Sequence, residues 1–149
     1  MKLLRPLPAG RTAELQSLAD WLDLKRNEKT CVDKDFIVVG DFNLESPAQL
    51  AALTSKGLQM PSALKSKTYG TNLAQNKRYD QILQYPDYPQ SFTNQGGILD
   101  FFTGGTADLF PGLAKDAFTF QLSDHLPLWM QINTDIEGEK LDEIIKTGR

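Results

Sequence analysis

The sequence predicts an α/β (α+β) domain built as one β-sheet with outer helices, and three observations carry that expectation. Leu15, Leu18, Trp21 and Leu22 recur at helical spacing after Thr12. Asp35–Gly40 holds an unbroken, β-branched run. His125–Asn133 alternates Leu126, Leu128, Met130 and Ile132 with Pro127, Trp129, Gln131 and Asn133. A period near 3.6 marks a helix with one apolar stripe, and a period of two marks a strand with two unlike faces.

Met1–Gly10 contains two prolines and reads as an extended lead-in. The helix then runs from Thr12 into the polar stretch Lys25–Lys34, with Glu14, Gln16 and Asp20 outside the stripe. In Asp35–Gly40 alternation is absent, which predicts a strand buried on both faces. Ser46 and Pro47 have the form of an N-cap followed by proline at the first helical position, opening a helix through AQLAALTSK that ends at Gly57. Gln59–Ser66 is expected to be loop. Lys67–Tyr69 and Arg78–Gln84 are expected to be strands joined by the polar turn Gly70–Lys77. Tyr85–Gln90 breaks regular structure with two prolines. Ser91–Asn94 and Ile98–Phe102 have strand-like content on either side of Gly96-Gly97, and Thr106–Leu113 suits a short helical turn. In Glu139–Lys146, Leu141, Ile144 and Ile145 share a helical face.

With 149 residues, the chain has the size of one domain. Its 40% hydrophobic and 23% charged residues are those of a folded globular protein. A formal charge of −3 provides no global attraction for a polyanion, so a nucleic-acid ligand would need a local basic groove. Lys65, Lys67, Lys77 and Arg78 are the candidates for one. The lone Cys31 excludes an intramolecular disulfide, and no Cys/His spacing spells a zinc site. No apolar run approaches the ~20 residues of a membrane span, and MKLLRPLPAG lacks the apolar core of a signal peptide. A cytoplasmic location is the expectation.

Three segments carry candidate chemistry. Gly40-Asp41-Phe42-Asn43 follows the first strand, the place where α/β sheets gather ligands, although Asp and Asn are also ordinary turn formers. Ser123-Asp124-His125-Leu126-Pro127 holds the only histidine. An imidazole there can transfer a proton near neutral pH, or can simply be structural. Neighbours on a strand point to opposite faces, so the group orienting His125 must come from elsewhere than Asp124. Arg78-Tyr79-Asp80-Gln81-Ile82 places a carboxylate in a partly apolar strand, where it must be paired or solvent-facing. A serine-nucleophile elbow, a phosphate-binding G-x-x-x-x-G-K-[ST] and a dinucleotide G-x-G-x-x-G are absent, and Cys31 has no supporting motif. Carboxylates, an amide and an imidazole remain, suited to Mg²⁺-assisted attack of water on phosphorus.

In this order and spacing, IVVGDFN, KRYDQIL and LSDHLPL resemble the endonuclease/exonuclease/phosphatase superfamily, which includes deoxyribonucleases of the pancreatic type and inositol-polyphosphate phosphatases. The resemblance extends from about Arg11 to Ile132. It implies Mg²⁺- or Mn²⁺-dependent phosphoester hydrolysis without a covalent intermediate. Asp41 would position or deprotonate the attacking water, and Asn43 would hold that water or a phosphate oxygen. His125 would bind the phosphoryl oxygen, Asp80 would fix its ring, and Asp124 would bind the metal or its water shell. Family domains stack two similar halves into a four-layer αββα sandwich, and residues 1–149 match the C-terminal half. The first half would carry the glutamate that is the principal metal ligand, and Glu45 lies on the wrong side of its motif to replace it. The expected partners are therefore a phosphoester substrate, with nucleic acid among the candidates, and a second copy or partner chain covering the apolar sheet face. Leu126, Leu128, Met130, Ile132 and the Phe36–Val39 run are the residues expected on that face. The competing expectation is a catalytically inactive assembly module.

Overall fold

A computed structural model describes residues 8–65, 70–87, 91–103, 110–134 and 145–146. In chain order it has helix α1 (Pro8–Asn27), strand β1 (Ile37–Asp41), helices α2 (Pro47–Leu53) and α3 (Ser62–Lys65), strands β2 (Asp80–Gln84) and β3 (Phe92–Ile98), helix α4 (Lys115–Gln121) and strand β4 (Leu128–Ile132). The expected mixture of helix and strand is present. In place of the single sheet, the described residues form two antiparallel two-stranded ribbons, β1 with β2 and β3 with β4. β2 runs close to β4 without forming a ladder with it. The expected strand at Lys67–Tyr69 and most of the tail helix lie outside the described residues.

The first core lies between α1, α2 and the β1–β2 ribbon. Leu15, Ala19 and Leu22 of α1 are buried, and Leu15 and Leu22 share a cluster with Leu53, Leu58, Leu83 and Tyr85. Trp21, placed on the stripe by sequence, is 52% exposed. Positions 15, 19 and 22 stack on one face at 3.6 residues per turn, and position 21 falls roughly a quarter-turn away from 22. In α2, the Ser46 side chain accepts from the Gln49 N–H with Pro47 at the start. The Gln49 side chain reaches back to accept from the Glu45 N–H, satisfying another donor at the helix start. The helix stops at Leu53, earlier than expected, and Gly57 turns the chain at φ +95°.

β1 corrects the expectation of burial on both faces. Phe36 and Val38 pack on the core, whereas Ile37 and Val39 are exposed. The apolar run is continuous because one face packs on α-helices and the other forms an open apolar surface. Gly96-Gly97 does not separate two strands but lies inside β3. A Cβ on Gly96 would come within 3.0 Å of the Trp129 carbonyl and of Leu64, so glycine allows β4 and α3 to close on β3.

The second core joins Leu73, Phe118 and Leu126. Phe118 of α4 collects the rings of Phe101, Phe102 and Phe110, with centroids 4.9–6.1 Å away. Leu126, expected on an open face, is only 1% exposed and belongs to this core. Burial still alternates from Leu126 to Gln131, and Leu126 is lost from the open face because it packs with Phe118 and Leu73. Within helix α4, Phe118 is buried, and Phe120 is 90% exposed. Phe118→Ala is expected to lower unfolding free energy by about 3–5 kcal/mol. Phe120→Ala should stay within about 0.5 kcal/mol of wild type. Urea unfolding with unchanged slope measures both, and equal effects would contradict the assignment of the core.

Candidate active site

Asp41 ends β1, where it stands directly opposite Asp80 at the start of β2. The neighbouring pair is hydrogen-bonded, with the Phe42 N–H donating to the Tyr79 carbonyl at 3.0 Å. Alternation then makes Asp41 and Asp80 a non-hydrogen-bonded pair, the kind whose side chains lie closest across an antiparallel ladder. Like charges so placed repel. Beyond Phe42 the chain turns sharply at Asn43, whose φ of +47° is a left-handed conformation that asparagine tolerates. The turn directs the Asn43 backbone N–H to Asp41 Oδ1 (2.8 Å) and its amide to Asp41 Oδ2 (3.0 Å). Arg11 of α1 donates to the Asn43 carbonyl at 3.0 Å, tying the turn to the first helix.

Asp80 has a different partner: its Oδ2 lies 2.8 Å from His125 Nδ1. The two residues are 45 positions apart, and a tight loop brings them together. In that loop Asn72 Oδ1 accepts from the backbone N–H groups of Asn76 and Lys77. The Gly70 N–H reaches the Gln75 carbonyl, and a Cβ on Gly70 would meet loop backbone at 2.5 Å. The segment after Gly70 then pairs antiparallel with the His125 segment: Leu126 N–H donates to the Thr71 carbonyl, and Leu73 N–H to the Asp124 carbonyl. The Tyr79 ring stacks on the imidazole with centroids 5.7 Å apart.

Ligand atoms of Asp41, Asp80 and His125 all lie within 4.8 Å of one another. All three line a cleft of about 510 Å³, with Ser123 at the edge and Val39, Ile82 and Leu128 on its apolar walls. That volume is in the range of small-molecule sites. Partial burial pulls the His125 pKa down. The Asp80 hydrogen bond and the charges of Asp80, Asp41 and Asp124 outweigh it and hold the imidazole above its ordinary value of 6.5. With Nδ1–H given to Asp80, protonation makes Nε2–H a second donor.

The structure thus brings Asp41, Asp80 and His125 into one site. Asn43 joins it through Asp41; it lines an adjoining cavity with Arg11 and Leu15 instead of the His125 cleft. Asp124 is exposed and outside the cluster of mutually close ligand atoms, although its charge reaches His125. Arg78, a candidate for a basic strip, turns its guanidinium to the Leu64 carbonyl, and Lys67 lies outside the described residues. Thr71 and Asn72, which organise the site, were missed by sequence reasoning. Each looks like a routine turn residue, and only the pairing of residues distant in sequence reveals its task. A hard divalent cation such as Mg²⁺ or Mn²⁺ fits the oxygen donors. Asp41 and Asp80 supply two opposed carboxylates, and such ions take one or two carboxylates with water and phosphate oxygens.

No protein-family model matches the chain, and comparisons with curated proteins and with solved structures found no match either.

His125, the chain's only histidine, gives an isolated NMR titration. Its midpoint is expected above 6.5, and Asp80→Asn should lower it. Because the folded value exceeds the unfolded one, the pair's stabilisation is complete below about pH 6.5 and is lost as pH rises through the folded value. A wild-type midpoint at or below 6.5 would contradict the paired geometry.

Proposed function

We propose that this chain is a metal-dependent phosphoester hydrolase of the endonuclease/exonuclease/phosphatase type, corresponding to the second half of that αββα sandwich. The observation that carries the reading is the Asp41–Asp80–His125 constellation, in which an imidazole is oriented by one carboxylate and faces another across a cleft. The motifs GDFN, YDQI and SDHLP supply its three members in order.

The chemistry follows from the residues. Asp41, its carboxylate aimed by Asn43, accepts a hydrogen bond or proton from the attacking water. His125 donates from Nε2 to a non-bridging phosphoryl oxygen, and the Asp80 hydrogen bond and nearby carboxylates favour the protonated ring that carries this donor. Asp80 holds the ring and stabilises the imidazolium. Mg²⁺ or Mn²⁺, held by Asp41 and Asp80 with Asp124 near its water shell, would supply positive charge against the phosphoryl oxygens. The substrate class is a phosphoester, with nucleic acids, lipid headgroups and small phosphoesters all carrying the required group.

A second reading, an assembly module that pairs with itself or a partner, is favoured by the open face. Ile37 and Val39 are 42% and 64% exposed and share the pleat direction of Asp41, and Ile132 is 45% exposed across a neighbouring cavity from Ile37. A covering sheet would hide this surface and close the cleft above His125. Pairing and catalysis are compatible on this geometry, because the apolar surface and the site are two ends of one face.

Turnover of bis(p-nitrophenyl) phosphate with Mg²⁺ or Mn²⁺ tests the hydrolase reading. His125→Ala should reduce it by about 10²–10⁴-fold. Absence of metal-dependent turnover by the wild type, or equal turnover by the variant, would overturn it. Sedimentation equilibrium tests the covered face: the wild type should self-associate and Val39→Glu should not. A wild type that is monomeric at all concentrations would rule out pairing with itself.

A further inference from the structure

Thr71 is fully buried, and its hydroxyl faces two backbone donors at once. Its Oγ1 accepts from the N–H groups of Tyr79 and Asp80, each at 3.2 Å. Its own carbonyl accepts from the Leu126 N–H at 2.6 Å, one residue beyond His125. Its N–H goes to the Lys77 carbonyl at 2.7 Å. One side chain and one peptide unit therefore span from the backbone of Asp80 to the backbone beside His125. The Tyr79 N–H, which would otherwise extend the β1–β2 ladder to Phe42, is directed to this hydroxyl instead.

We infer that Thr71 is the positioning residue that sets Asp80 against His125. Its fitness lies in two properties. A hydroxyl oxygen has two lone pairs and can take both N–H groups, and a β-branched side chain holds χ1 in few rotamers. Serine retains the acceptor and loses only the methyl; valine retains the shape and loses the acceptor. The loop around Thr71 gives it a fixed base, since Asn72 holds Asn76 and Lys77 through its side chain. Thr71 acts through Asp80 and touches no reacting atom. Its importance for turnover rests on the phosphoester reading above; its control of the pair does not.

The test uses the full chain and the single histidine. At one alkaline pH where the ring is neutral, the ¹⁵N shifts of His125 should show hydrogen on Nδ1, directed at Asp80. Thr71→Ser should retain that tautomer. Thr71→Val should lose the preference for it, and kcat for bis(p-nitrophenyl) phosphate should fall up to about 10²-fold with a smaller change in KM. A folded Thr71→Val protein with the wild-type tautomer would overturn the inference. Where the valine variant does not fold, amide exchange in the wild type decides. Tyr79 and Asp80 amides protected as strongly as Leu126 support it, and exchange at the rate of exposed loop amides removes it. A tautomer change with no turnover in any form leaves the role of Thr71 in place and removes the hydrolase reading alone.

Discussion

Asp41 and Asp80 stand opposite each other at the closest kind of cross-strand pair, and the surrounding structure compensates for that opposition. Neither carboxylate is left to water alone. Asn43 bends the chain into a left-handed turn to give Asp41 two hydrogen bonds, and His125 comes from 45 residues away to meet Asp80. A pair of like charges held this way remains attractive to a cation and to an imidazolium. The same opposition that works against the ribbon therefore concentrates negative charge at the cleft. Here the local conflict and the candidate site coincide.

The two cores have complementary tasks around this pair. Helices α1 and α2 press on the inner face of the β1–β2 ribbon through Leu22, Leu53 and Leu83, fixing where both carboxylates emerge. The aromatic core around Phe118 sits under Leu73 and Leu126, the residues flanking the Asn72–His125 bridge. His125 is thus carried by one core and Asp80 by the other. The loop from Gly70 to Lys77 is the connection between them, which is why a residue with no reactive group, Thr71, lies at its centre.

Much of this was legible in the sequence where a local rule sufficed. The Leu15–Leu22 stripe, the Ser46-Pro47 helix start and the β-branched run Asp35–Gly40 each report a property of neighbouring residues, and each appears near its expected place. Strand alternation alone required a distant partner for His125, and Asp80 occupies that position. Other features depended on contacts no window can show. The Phe36–Val39 run looks the same whether its outer face is covered or open. Gly96-Gly97 reads as a break until Trp129 and Leu64 are seen against it. Helix α4 shows no apolar stripe among its described residues, and Phe118 anchors it through three rings from other segments.

The proposed chemistry rests on the opposed carboxylates and the imidazole forming one cation-attracting site. Paramagnetic broadening by Mn²⁺ at substoichiometric concentration probes that site. The expected result is loss of signal confined to residues around Asp41, Asp80 and His125, weakened by Asp41→Asn. Broadening spread over exposed acids such as Asp20 and Asp87, with the Asp41 and Asp80 signals unaffected, would show that the three residues form no cation site.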